Sequence, residues 1–69
     1  MKYVVLFAQT NTGYSAHVPD LPGCVAAGAT LAETSELMCE AIRMHLAGMR
    51  EDGEEIPEPQ TIAEYIVAA

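Results

Sequence analysis

Sixty-nine residues carry ten acidic side chains against three basic ones, Lys2, Arg43 and Arg50, for a formal net charge of −7. So short a chain makes one domain, residues 1–69, with a modest core, and it depends on close packing, a second copy or a partner for stability. The charge repels phosphate and so argues against a basic nucleic-acid groove; it suits a basic protein partner or simply keeps a small domain in solution.

Cys24 and Cys39 are too few for a disulfide framework and match no metal-ligand spacing. Unpaired cysteines fit a reducing cytoplasm. The apolar run Tyr3–Ala8 is too short for a signal segment or a membrane span. A cytoplasmic protein without a membrane role is therefore expected.

Tyr3-Val4-Val5-Leu6-Phe7-Ala8 is rich in β-branched and aromatic residues and reads as a strand. Tyr3, Val5 and Phe7 fall on one face and Val4, Leu6 and Ala8 on the other. With both faces apolar, it is expected in the middle of its sheet. Asn11-Thr12-Gly13 supplies a turn, and Tyr14–Val18 alternates as a hairpin partner. Pro19-Asp20-Leu21-Pro22-Gly23 interrupts the ladder, because proline has no amide to donate. Cys24–Ala27 reads as a short third strand.

Thr30-Leu31-Ala32-Glu33 forms a capping box at a helix start. The helix is expected from Leu31 to Glu51, ending at Asp52-Gly53 with Gly53 as a left-handed cap. Leu31, Met38, Ile42, His45 and Met49 make one stripe, flanked by Ala41 and Leu46. Glu33, Glu36, Glu40, Arg43 and Ala47 lie opposite. Leu37, Met44 and Gly48 widen the apolar sector along one edge beyond what a single sheet face needs. Thr61–Ala69 fits either a short helix or a strand. Its Tyr65-Ile66-Val67 favours the strand, since nine residues make a marginal helix.

Little here points to catalysis. His17, His45, Cys24 and Cys39 include the residue types of a Cys–His nucleophilic pair, but no signature spacing joins them. A packed histidine in the helix stripe and two packed structural thiols are the simpler readings. Metal-assisted phosphoryl chemistry needs carboxylates converging from strands, and the first strand has none. Five of the ten acids, Glu51, Asp52, Glu54, Glu55 and Glu58, lie together around Ile56 and two prolines. Such a run is either a solvated loop or a docking surface for a basic partner.

Ala16-His17-Val18-Pro19-Asp20-Leu21-Pro22-Gly23-Cys24, then Gly28-Ala29-Thr30-Leu31-Ala32-Glu33, then Glu40-Ala41-Ile42 with Leu46, then Glu51-Asp52-Gly53-Glu54-Glu55-Ile56-Pro57-Glu58-Pro59, resemble in order the HicB family of toxin–antitoxin systems. The resemblance implies an α+β domain of order β-β-β-α-β. Three antiparallel strands and a parallel C-terminal strand beside the first would carry one long helix on one face, as a partial ribonuclease H-like fold. It favours the strand reading of residues 61–69, and the absence of strand carboxylates agrees with such a shell lacking a hydrolytic site; no enzyme activity, cofactor or metal is expected. Its partner would be a small basic mRNA-cleaving (HicA-like) toxin, which it would bind and neutralise.

Glu51, Asp52, Glu54, Glu55, Ile56 and Glu58 are the candidate toxin-binding residues. Many family members carry a further C-terminal DNA-binding segment. This sequence ends at Ala69, before one, so no direct nucleic-acid binding is expected. The alternatives are a stand-alone homo-oligomeric domain with another protein partner and, more distantly, a residual nuclease. One helix covers one sheet face, so a homodimer or tetramer is expected. Tyr3, Val5 and Phe7 on the sheet, or Leu37 and Met44 on the helix flank, would form its interface.

Overall fold

Hairpin chemistry comes first in the chain and first in the architecture. In the computed structural model, which describes residues 1–69, three strands precede one helix: β1 (Leu6–Gln9), β2 (Tyr14–His17), β3 (Val25–Gly28) and α1 (Leu31–Glu51). The strands form an antiparallel sheet in the order β1-β2-β3. Leu6 pairs with His17 and Gln9 with Tyr14; Tyr14 in turn pairs with Gly28, and His17 with Val25. Between β1 and β2 the amide of Thr10 donates to the Gly13 carbonyl at 2.8 Å. A Cβ at Gly13 would collide with the Gly28 carbonyl oxygen, so this turn needs glycine for close approach.

The helix has the bounds its caps dictate. Thr30 is extended, and its hydroxyl accepts from the Glu33 amide at 3.1 Å. At the other end Gly53 has φ +72°; Gly53 donates to the Arg50 carbonyl and Glu54 to the Met49 carbonyl, a Schellman closure. The helix packs across β3 and β2 on one face of the sheet. Its first turn sits close to β3 because Gly28 has no side chain: a Cβ there would stand 2.7 Å from the Thr34 hydroxyl. Thr34 is fully buried, and its hydroxyl donates to the Thr30 carbonyl at 2.8 Å.

Ala16, Val18, Leu21, Cys24 and Met38 make up the core, with Tyr3, Val5, Ala26, Ala41, Ile42, Leu46 and Met49 half-buried around them. Only six of the 69 residues are buried, which leaves this chain with a thin core for its length.

Four expectations need correction. The first strand is not central: β1 is an edge, and it begins at Leu6, with Leu6 and Phe7 each 39% exposed. Extending the register backward would set Val4 opposite Pro19, which has no amide to offer, so the ladder stops. The strand expected over residues 61–69 is not formed. Residues 54–69 are neither helix nor strand, and β1 keeps its outer edge open. The third strand starts one residue later than expected and runs through Gly28, leaving Cys24 in the preceding loop. Cys39 is exposed rather than packed. One residue beyond Met38 is about 100° further round the helix, clear of the sheet.

Candidate protein-docking site

The two proline-rich motifs flank the helix in sequence and meet in space. Residues 19–23 fold into a tight loop closed by backbone hydrogen bonds: Val18 to the Cys24 carbonyl, Leu21 to the Val18 carbonyl, and Cys24 to the Leu21 carbonyl, at 3.1–3.2 Å. Gly23 takes φ +85°, which a side chain would strain. Leu21 turns inward and is fully buried; Pro22 is exposed at the tip.

Asp20 reaches the other motif. Its Oδ2 accepts from the amides of Gln60 and Thr61, both at 3.0 Å, and its Oδ1 accepts from the Thr61 hydroxyl at 2.8 Å. Charge-assisted bonds of this kind favour the ionised form. The Thr61 amide, then the Thr61 hydroxyl, hold the Asp20 carboxyl below its ordinary value; partial desolvation opposes them and the Gln60 amide assists. The Tyr3 hydroxyl adds a second tie by donating to the Pro57 carbonyl. Together these contacts lay residues 57–61 against the loop and the chain's N-terminal segment.

A cleft of about 490 Å³ lies between the motifs, bounded by Pro19, Asp20 and Pro22 on one wall and Glu55, Ile56, Pro57, Glu58 and Gln60 on the other. Ile56 is half-buried at its edge, whereas Glu51, Asp52, Glu54, Glu55 and Glu58 are exposed. Across Pro22 is a second shallow depression, lined by Met44, His45, Gly48, Met49, Asp52 and Glu54. The fold thus surrounds the Pro22 tip with carboxylates and three apolar side chains, Ile56, Met49 and the 73%-exposed Met44. The acids and Ile56 were expected to act together. Met44 was expected at a different interface, and it lines the depression beside them.

The other candidates scatter. Tyr3 and Val5 are half-buried against the chain's own core, while Phe7 and Leu37 are partly exposed. Cys24 is buried, and burial raises its thiol pKa; His17 is exposed and His45 half-buried. No group of three or more His, Cys, Asp or Glu is placed to hold a metal ion, and no helix is long and apolar enough to cross a membrane. Sequence reasoning missed Asp20 as the clasp. Its partners lie 40 and 41 positions away, and no local pattern marks such a pair.

A three-stranded meander under a single capped helix, its loop clasped to the segment beyond the helix, defines a small α+β domain with an acidic cleft beside that loop. The chain belongs to the HicB-like antitoxin family of bacterial toxin–antitoxin systems, whose profile matches residues 3–69. It is 46% identical over 66 residues to a protein of Haemophilus phage HP1 (strain HP1c1), described as an uncharacterized 14.9 kDa protein in the rep-hol intergenic region. That match covers 96% of this chain and 50% of the phage protein, so the chain spans about half the length of this relative. Among solved structures, a HicA3 and HicB3 toxin–antitoxin complex contains a chain with a similar fold, at TM-score 0.74 and 30% identity. The match covers 86% of this chain and 70% of that one.

Proposed function

We propose that this domain binds a small basic mRNA-cleaving toxin and neutralises it, using the acidic cleft beside Pro22 as its docking surface. One observation carries the reading. The Asp20 clasp fixes the segment after the helix so that Glu54, Glu55 and Glu58 stay in solvent around a half-buried Ile56. Carboxylates arranged in this way steer a basic partner and reject acidic ones, while a neighbouring apolar anchor supplies affinity. Family membership and the likeness to a chain of a toxin–antitoxin complex support the same reading.

The domain acts by occupying its partner, not by chemistry. Its strands read Leu-Phe-Ala-Gln, Tyr-Ser-Ala-His and Val-Ala-Ala-Gly, so the sheet presents no carboxylate to hold hydrolytic metals. The net charge of −7 gives it no affinity of its own for nucleic acid.

An RNA-cleavage assay tests the proposal. A small basic ribonuclease toxin encoded beside this gene should lose activity as the domain approaches equimolar ratio, and the two should co-purify. Undiminished cleavage at excess domain would reject the proposal. It would favour the second reading, a domain serving another protein partner.

A further inference from the structure

We infer that a notch at Gly48, near the C-terminal end of the helix, takes a lysine or arginine side chain of a basic protein partner, its stem against Met44 and Met49 and its charge at Asp52 and Glu54. That assignment rests on the proposed function and adds to it: the cleft acids steer a basic partner, and the notch holds it.

Gly48 is a glycine that the fold itself does not need. Gly23 and Gly53 sit at φ +85° and +72°, and a Cβ at Gly13 or Gly28 would collide with a neighbour. Gly48 has neither reason. It lies inside the helix, and a Cβ there would meet no atom within 4 Å. Glycine weakens a helix interior relative to alanine, because its backbone has more freedom to lose. What the missing side chain leaves is an opening on the surface, where an outside group can reach the helix backbone.

The walls of the opening define that group. Met44 stands one turn before Gly48 and Asp52 one turn after, on one line along the helix. With Pro22, Met49 and Glu54 they border a depression of about 490 Å³. Met44 is 73% exposed, and its flexible thioether suits an alkyl stem. The other end is anionic. Asp52 and Glu54 are exposed, and the chain's side-chain hydrogen bonds all lie elsewhere, at Tyr3, Thr10, Asp20, Thr30 and Thr34. The negative end of the helix dipole acts at the same place. None of the chain's own cations, Lys2, Arg43 and Arg50, lines the depression. An apolar trough that ends in two unpartnered carboxylates complements a long apolar stem that ends in a positive charge. An acidic side chain would be repelled there.

A hexalysine peptide titrated into the isotope-labelled 69-residue chain tests the site without assuming a toxin. Amide shifts should be largest at Met44, Gly48, Met49, Asp52 and Glu54. Shifts of equal size at Glu33, Glu36 and Glu40, on the opposite side of the helix, would show charge attraction without a site and overturn the inference. Gly48→Leu fills the opening with a good helix former. Its Tm should equal or exceed that of wild type, and the shifts at Asp52 and Glu54 should disappear. A lower Tm would show that the fold needs Gly48, and shifts that persist would show that the notch is not the site; either overturns the inference. With the small basic ribonuclease toxin encoded beside this gene, Gly48→Leu should dissociate about tenfold faster and associate at the wild-type rate. A toxin that leaves both forms equally slowly overturns the notch and leaves the proposed function standing. A toxin that binds neither form, with peptide shifts still confined to the notch of the wild type, does the reverse.

Discussion

Leu21→Ala is the most informative single perturbation of the fold, because Leu21 is the one residue of the 19–23 loop that is buried in the core. It is fully buried, between two prolines and beside the clasp residue Asp20. Truncating a buried leucine to alanine costs about 2–5 kcal/mol, the spread reflecting how far the surroundings collapse into the space. The core here is thin, so collapse is easier and about 2–3 kcal/mol is expected. A 69-residue domain has roughly 3–10 kcal/mol in all, so the loss is a large share of the whole. At about 4–8 °C per kcal/mol, Tm should fall by roughly 10–20 °C. Thermal melts by circular dichroism, at one fixed chain concentration so that association does not confuse the comparison, read this directly. A melting point within 3 °C of wild type would mean that Leu21 does not hold the loop, and the account of the site would fail with it.

Asp20 gives a pH signature. Its carboxyl titrates below the ordinary value, so its contribution is present above the unfolded value near about 3.9 and is lost as pH falls through the lower folded value. The Gln60 and Thr61 amides should therefore lose protection, relative to their intrinsic exchange rates, only in acid in the wild type and already at neutral pH in Asp20→Ala; protection unchanged in the variant would contradict the clasp. Gly53→Ala should lower stability by about 1 kcal/mol in denaturant melts, because φ +72° strains a side chain although the Cβ itself would meet no atom; no measurable loss would contradict the cap. A thiol reagent should modify Cys39 quickly and Cys24 only on unfolding, since Cys39 is exposed while burial shields Cys24 and raises its pKa; equal rates would refute the packing.

What the sequence made legible was local. Thr30 and Gly53 marked both ends of the helix because capping is decided within four residues of each position. The hairpin followed from Asn11-Thr12-Gly13, and the acidic run around Ile56 was visible as composition. The features that went unread join distant positions. Asp20 meets Thr61 across 41 residues, and Leu21 is buried although prolines on either side suggest a surface loop. Thr34 is a polar residue in the core because Gly28 lets the helix approach β3. Two apolar faces on the first strand suggested neighbours on both sides. The structure gives it one, because face apolarity reports burial above and below a sheet and not pairing at its edges.

Association kinetics of the Glu54→Gln/Glu55→Gln/Glu58→Gln variant with a basic ribonuclease toxin test the central claim most directly. If the acidic segment steers the partner, removing three charges should slow association by about tenfold at low salt and flatten its dependence on ionic strength. Tm should barely move, because the three side chains are exposed. Association rates and salt dependence equal to wild type would take this segment out of the binding surface and contradict the proposed function of the cleft.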